Sequence, residues 1–174
     1  VGKTTSYTKT GTFGIATLDT ATGKVTYQLS NSDPQTNALA AGEKTTDIFT
    51  VTVKDESGVS ASTNAIFNIV GSNDAPTISA ASQVGSLIES GYNVAGNTSA
   101  SIQLTVGDVD HNDAVSYDTT GWAQVGKTTS YTKTGTFGTA TLDTATGKVT
   151  YQLSNSDPQT NALAAGDKRS EEHT

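Results

Sequence analysis

The stretch KVTYQL, Lys24–Leu29, carries the reading of the fold. Val25, Tyr27 and Leu29 alternate with Thr26 and Gln28. Successive side chains of a β-strand point to opposite faces, so the alternation turns one face to a core and the other to water. Just upstream, LDTATGKV (Leu18–Val25) places Gly23 where a hairpin turn between two strands needs it. Downstream, DIFTVTVKD (Asp47–Asp55) repeats the period with Phe49, Val51 and Val53. TNAIFNIV (Thr63–Val70) does so with Phe67 and Ile69, and SIQLTV (Ser101–Val106) with Ile102, Leu104 and Val106. One helical segment of barely two turns is expected in SDPQTNALAAGE (Ser32–Glu43). Asp33 is its N-cap, Pro34 sits where a missing N–H costs nothing, and Gly42 is its left-handed exit. Short strands at regular spacing, separated by turn residues, predict an all-β fold: a two-sheet antiparallel sandwich.

Composition agrees. Of 174 residues, 33% are hydrophobic and 16% charged. Ser, Thr, Asn and Gly fill much of the rest, which suits sheets with one solvated face. The net charge of −7 argues against a nucleic-acid partner, which would call for a basic face. It suits cation binding or a highly soluble surface. With no cysteine, disulfides and thiolate metal sites are excluded. No stretch is long and apolar enough to span a membrane as a helix.

The segment from Val1 to Lys44 returns at Val125 to Lys168, an offset of 124 residues. Only Ile15 against Thr139 and Glu43 against Asp167 distinguish the copies. Near-identity over whole segments points to tandem duplication, with the offset as the length of one repeat. The chain is therefore expected to be a fragment of about 1.4 repeats. GSNDAP, Gly71–Pro76, is the expected linker, with residues 1–70 the C-terminal part of one repeat and residues 77–168 the N-terminal part of the next. Each part then lacks strands that the other possesses and leaves unpaired edges. The match stops at residue 169, and RSEEHT (Arg169–Thr174) resembles the translation of a sequencing-adapter oligonucleotide. It is set aside as a non-native tail.

One motif pulls the other way. Gly121, Gly126, Lys127 and Thr128 fit the phosphate-binding pattern G-x-x-x-x-G-K-[ST]. That chemistry needs a helix after the loop, its N-terminus facing the anion. TTSYTKTGTFG instead is rich in threonine and glycine, which disfavour a helix. The expectation is a loop entering a strand and no enzyme.

Residues 11–76, from GTFGIATLDTATGKVTYQLS through FNIVGSNDAP, resemble a VCBS repeat, a tandem module of large bacterial RTX-type surface adhesins. SLIESG and LTVGDVDHNDAVSY are similar to its opening strands. The resemblance implies an immunoglobulin- or cadherin-like sandwich, export to the bacterial cell surface or medium, and a part in adhesion or biofilm. TGWAQVGKTTSYTKT (Thr120–Thr134) has no counterpart in the pattern and is expected to form a longer loop or an extra hairpin.

GDVDHND, Gly107–Asp113, is the sharpest polar cluster. Asp108, Asp110 and Asn112 alternate like the first ligands of an EF-hand loop. The glycine expected next is Asp113 and the glutamate expected at the twelfth position is Thr119, so the loop is not an EF-hand. Alternating oxygen ligands still suit a hard cation such as calcium, which accepts about six to eight oxygens. Cadherin-like modules share calcium between an Asn-Asp linker and a D-x-D loop, which by resemblance adds Asn73 and Asp74 to the ligand set. Asp55 in KDESG and Glu89 in IESG resemble ligands of neighbouring junctions. The other reading of all these residues is turn formation, since Asp and Asn bond their own backbone.

His111 is the only histidine before the tail, too little for a catalytic arrangement. The leading expectation is a non-catalytic spacer or adhesion repeat, stiffened by calcium at its junctions. Its expected partners are neighbouring repeats of the same polypeptide, with surface or matrix polysaccharide a further candidate. The alternative is a carbohydrate-binding module of a secreted polysaccharide-degrading enzyme, for which Trp122 and the tyrosines would supply stacking surfaces.

Overall fold

A computed structural model describes residues 5–83, 85–91 and 95–163; the terminal hexapeptide Arg169–Thr174 lies outside them. The described residues are all-β and antiparallel, with two single-turn helices. It divides into two compact units. The first comprises residues 1–75 with 108–114, and the second residues 76–107 with 115–174.

In the first unit, β1 (Ser6–Thr10), β2 (Gly14–Asp19) and β3 (Lys24–Leu29) form a three-stranded sheet in the order β1-β2-β3. Gly23, at φ +72°, closes the β2–β3 hairpin as the sequence requires, its N–H donating to the Asp19 carbonyl at 2.8 Å. The helix α1 (Pro34–Asn37) follows. Asp33 caps it, accepting from the Gln35 N–H at 2.9 Å. The helix ends at Ala38, one turn only, and Gly42 (φ +75°) serves the next turn rather than the helix exit. The Leu39 N–H turns to the Thr36 carbonyl at 3.2 Å, an i→i−3 bond that tightens the chain and ends the helical ladder after one turn.

β4 (Lys44–Lys54) and β5 (Ser60–Val70) make a long hairpin paired from Lys44↔Val70 to Lys54↔Ser60. The alternation read from the sequence holds over most of it: Phe49 and Ile69 are buried, Val51 and Phe67 half-buried. Val53 departs from the expectation at 65% exposed. Its eleven-residue strand is nearly twice as long as the six-residue β2 and β3, so its distal end outruns them.

The hairpin faces the three-stranded sheet through aromatic rings. Tyr27 on β3 stacks on Phe67 with centroids 4.8 Å apart, and Phe49 closes the cluster at 5.9 Å from Tyr27. Offset and tilted geometries of this kind add about 0.5–1.5 kcal/mol per pair beyond burial. Beside the rings lies Asp47, 5% exposed. Its carboxylate accepts from the N–H groups of Thr12 and Phe13, both at 3.0 Å, and from the Tyr27 hydroxyl at 2.5 Å. Burial alone would raise its pKa. The hydrogen bonds, Tyr27 first, outweigh burial and hold it below the usual carboxylate value. Burial, then the Asp47 hydrogen bond and charge, push the Tyr27 hydroxyl well above its ordinary value.

In the second unit, β6 (Thr77–Ala80), β7 (Ser99–Gly107), β8 (Ala123–Gln124), β9 (Ser130–Thr134), β10 (Gly138–Asp143) and β11 (Lys148–Leu153) form one sheet in the order β6-β7-β11-β10-β9-β8. A second single-turn helix, α2 (Pro158–Asn161), repeats α1 with Asp157 as its cap. The duplicated sequence folds alike in both copies. Thr36 Oγ1 donates to the Phe13 carbonyl at 3.2 Å, and Thr160 Oγ1 to the Phe137 carbonyl at 3.1 Å.

Residues 120–134 form the extra hairpin, β8–β9, with Gln124 opposite Tyr131. The residues after the G-x-x-x-x-G-K-T match therefore enter a strand. The N–H of Thr128 turns back onto the Val125 carbonyl at 3.3 Å, and no helix follows to face a phosphate. Among the described residues, no helix is long and apolar enough to cross a membrane.

Candidate metal centre

The acidic loop Asp108–Ala114 belongs to the first unit. Its shape follows from short-range bonds. Asp108 Oδ1 accepts from the Asp110 N–H at 3.0 Å, an Asx turn of the kind Asp favours. The chain then reverses: the Asp113 N–H donates to the Asp110 carbonyl at 3.3 Å. Asn112 sits at φ +60° within this reversal, a left-handed conformation that asparagine tolerates better than most residues.

Two long-range bonds pin the loop. The His111 N–H donates to the Ala38 carbonyl at the end of α1, at 2.9 Å. The Asp74 N–H donates to Asp110 Oδ2 at 2.8 Å. Asp74 is positioned in turn by Gly71, whose N–H donates to the Glu43 carbonyl and whose carbonyl accepts from the Gly42 N–H. A Cβ on Gly71 would stand 2.3 Å from the Leu39 carbonyl oxygen and 2.4 Å from that of Ala40, so only glycine permits this approach.

The result gathers three carboxylates. Asp108, Asp110 and Asp113 each offer an oxygen, and these oxygens all lie within 4.8 Å of one another. Two oxygens on one calcium ion, each about 2.3–2.6 Å from it, can be no farther apart than about 5 Å, so the spread suits a shared ion. Asp110 is 6% exposed, and its Oδ1 is buried without a hydrogen-bond partner among the described residues. An unpaired buried carboxylate oxygen is costly, and a cation is the partner that an acceptor-only group would take. All-oxygen donors with no nitrogen or sulfur favour a hard ion.

The remaining sequence-derived residues divide. Asp108 and Asp110 meet in this centre. Asp74 contributes its backbone N–H, while its own carboxylate stands outside the three-residue group. The Asn73 side chain donates to the Asp74 carbonyl. Asn112 supplies the turn. Asp55 closes the β4–β5 hairpin, accepting from the Val59 N–H at 2.8 Å. Glu89 lies in the second unit, on the connection from β6 to β7. Neither Asp55 nor Glu89 falls in a group of three acidic or histidine side chains among the described residues.

Sequence reasoning passed over Asp113, which it measured only against the glycine of an EF-hand. The available signal was three carboxylates spaced by two and then three residues around a left-handed-tolerant asparagine. His111 stays at the rim, its Nδ1 3.3 Å from Glu43 Oε2 and its ring half exposed. Trp122 lies in the second unit with the Lys133 ammonium 6.0 Å from its ring centroid, a cation–π contact.

No protein-family model matches this sequence, and no curated protein matches it.

Proposed function

We propose that the chain is a non-catalytic structural segment of a repetitive extracellular protein, in which a calcium ion on Asp108, Asp110 and Asp113 restrains the passage of the chain between units. The observation that carries this reading is the buried Oδ1 of Asp110, unpartnered among the described residues, beside two further carboxylates. Connectivity supports the mechanical part. The chain passes from one unit to the other at 75–76, 107–108 and 114–115, and these points adjoin Asp74, Asp108 and Asp113. A cation that fixes the loop and its Asp74 anchor restrains all three passages. Without it, three like charges at close range repel, and solvent screening at this partly exposed loop keeps the cost of each contact with Asp113 to a few tenths of a kcal/mol.

The near-identical tandem copies and the resemblance of residues 11–76 to a VCBS repeat support an immunoglobulin- or cadherin-like repeat on a bacterial surface or secreted adhesin. The acidic, cysteine-free composition fits that setting, where calcium rather than disulfides would brace the domains. Small-angle scattering of the full chain tests the reading. In millimolar calcium the distance distribution is expected to be narrower and to extend farther than in chelator. Identical profiles in the two conditions, with calcium bound, would leave the ion a purely local role and overturn the stiffening mechanism.

A further inference from the structure

The acidic loop and the buried Asp47–Tyr27 pair are joined through α1 by a run of hydrogen bonds, all within the first unit. The His111 N–H holds the loop to the Ala38 carbonyl at the end of α1, at 2.9 Å. Two residues earlier, Thr36 is 8% exposed, and its Oγ1 donates to the Phe13 carbonyl at 3.2 Å. The N–H of the same Phe13 donates to Asp47 Oδ2, and that of Thr12 to Oδ1, both at 3.0 Å. The Tyr27 hydroxyl closes the run on Oδ2.

Within this run α1 is the adjustable member. A single turn fixes many dihedrals for few hydrogen bonds, so its place is set by what it docks on. The Phe13 peptide, by contrast, is held at both ends. Its carbonyl accepts from the Ser30 N–H at 2.9 Å as well as from Thr36. Gly11, at the start of the same turn, lies so close to Asp47 that a Cβ would stand 2.3 Å from Oδ2. The turn is thus a fixed point, and the Thr36 hydroxyl ties α1 to it. The tie is built into the repeat. Thr160, fully buried, donates to the Phe137 carbonyl, which also accepts from the Ser154 N–H at 2.9 Å.

We propose that Thr36 is a positioning residue of the metal centre. Through the Ala38 carbonyl it sets where the loop carries its carboxylates, and Asp47, by fixing the Phe13 peptide, acts on ion affinity from the far end of the same path. The proposal rests on the reading of Asp108, Asp110 and Asp113 as ligands. Coupling between two sites is reciprocal, so an ion in the loop also steadies the β1–β2 turn. The Asp74 N–H holds Asp110 Oδ2 independently of this path. Cutting the Thr36 bond therefore loosens one long-range anchor of the loop and leaves the other, which weakens ion binding without abolishing it.

The test is calorimetric titration of the full chain with calcium alone, at a temperature where each variant is folded by circular dichroism. Thr36→Val keeps the shape of the side chain and removes the donor. Calcium affinity is expected to fall about fivefold or more, the lower end of typical coupling. Thr36→Ser restores a donor and should bind within about twofold of the parent. Val51→Ala lowers stability from a half-buried position off the path and should also bind within about twofold. Combined with Asp47→Asn, Thr36→Val should lose no more than the larger single loss, because both cut one path. Hydrogen exchange gives the reciprocal readout: calcium should slow exchange of the Thr12 and Phe13 amides in the parent and not in Thr36→Val. Unchanged affinity in Thr36→Val, no recovery in Thr36→Ser, equal loss in Val51→Ala, losses that multiply in the double variant, or calcium protection that persists without the donor would each overturn the proposal while leaving the metal centre in place. A parent that binds no calcium would remove the centre, and the proposal with it.

Discussion

The backbone N–H of Asp74 donates to Oδ2 of Asp110 at 2.8 Å, joining positions 36 residues apart. The bond leaves the other oxygen of the same carboxylate buried and without a hydrogen-bond partner among the described residues. One oxygen thus holds the chain in place, and the other is left for an ion. Substitutions can separate these two roles. Asp110→Asn retains an amide oxygen to accept from Asp74 but removes the charge. Its stability in chelator is expected within about 1 kcal/mol of the parent, with calcium stabilisation abolished. Asp110→Ala loses both roles, leaves the Asp74 donor without its partner, and should cost about 1–3 kcal/mol even in chelator. Thermal melts in the two conditions read both effects.

Asp113 should show a change of sign. It is exposed, and its negative charge lies close to those of Asp108 and Asp110. In chelator, Asp113→Asn relieves repulsion and is expected to stabilise by a few tenths of a kcal/mol, up to about 1. In calcium it removes a ligand and is expected to destabilise relative to the parent. Melts that shift in the same direction in both conditions would remove Asp113 from the ligand set.

The Asp47–Tyr27 pair gives the first unit its pH response. Asp47 has a lowered pKa in the folded state, so its contribution is present above about pH 4, the unfolded value, and is lost as pH falls through the folded value. Tyr27 has a raised pKa, so its contribution is complete below about pH 10 and fades as pH rises beyond it. Asp47→Asn should cost about 1–3 kcal/mol at neutral pH and flatten the acid limb of a stability profile. Denaturant titrations from pH 3 to 7 measure both.

Gly71 couples the linker to the rest of the unit. Gly71→Ala drives a Cβ into two carbonyl oxygens and is expected to cost about 1–3 kcal/mol and to weaken calcium binding by displacing Asp74. Gly91→Ala is the control, because nothing lies within 4 Å of a Cβ there. It should be neutral to within about 0.5 kcal/mol.

Much of this architecture was legible in the sequence because a period of two is a strong signal. KVTYQL, TNAIFNIV and SIQLTV place their apolar residues where the alternation puts them. The failures are specific. Val53 obeys the alternation but lies beyond the partner sheet, and strand length relative to a partner is a tertiary property. The helix expected up to Gly42 stops at Ala38, because capping signals mark a start more firmly than a length. Asp47 shares the parity of Phe49, so its inward position could have been read. Its three donors could not, since they come from β3 and the β1–β2 turn. In the acidic loop, Asp108 and Asp110 stood out by their spacing. Asp113 was hidden by comparison with a loop type to which this one does not belong, and the Asp74 anchor needed the fold.

The measurement that bears most directly on the account is calorimetric titration of the full chain with calcium, set beside Asp110→Asn under the same conditions. The account predicts saturable binding to the parent, and loss of that binding in the variant while its fold, judged by circular dichroism, persists. Equal calcium binding by a folded Asp110→Asn variant, or no binding by the parent at millimolar calcium, would contradict it.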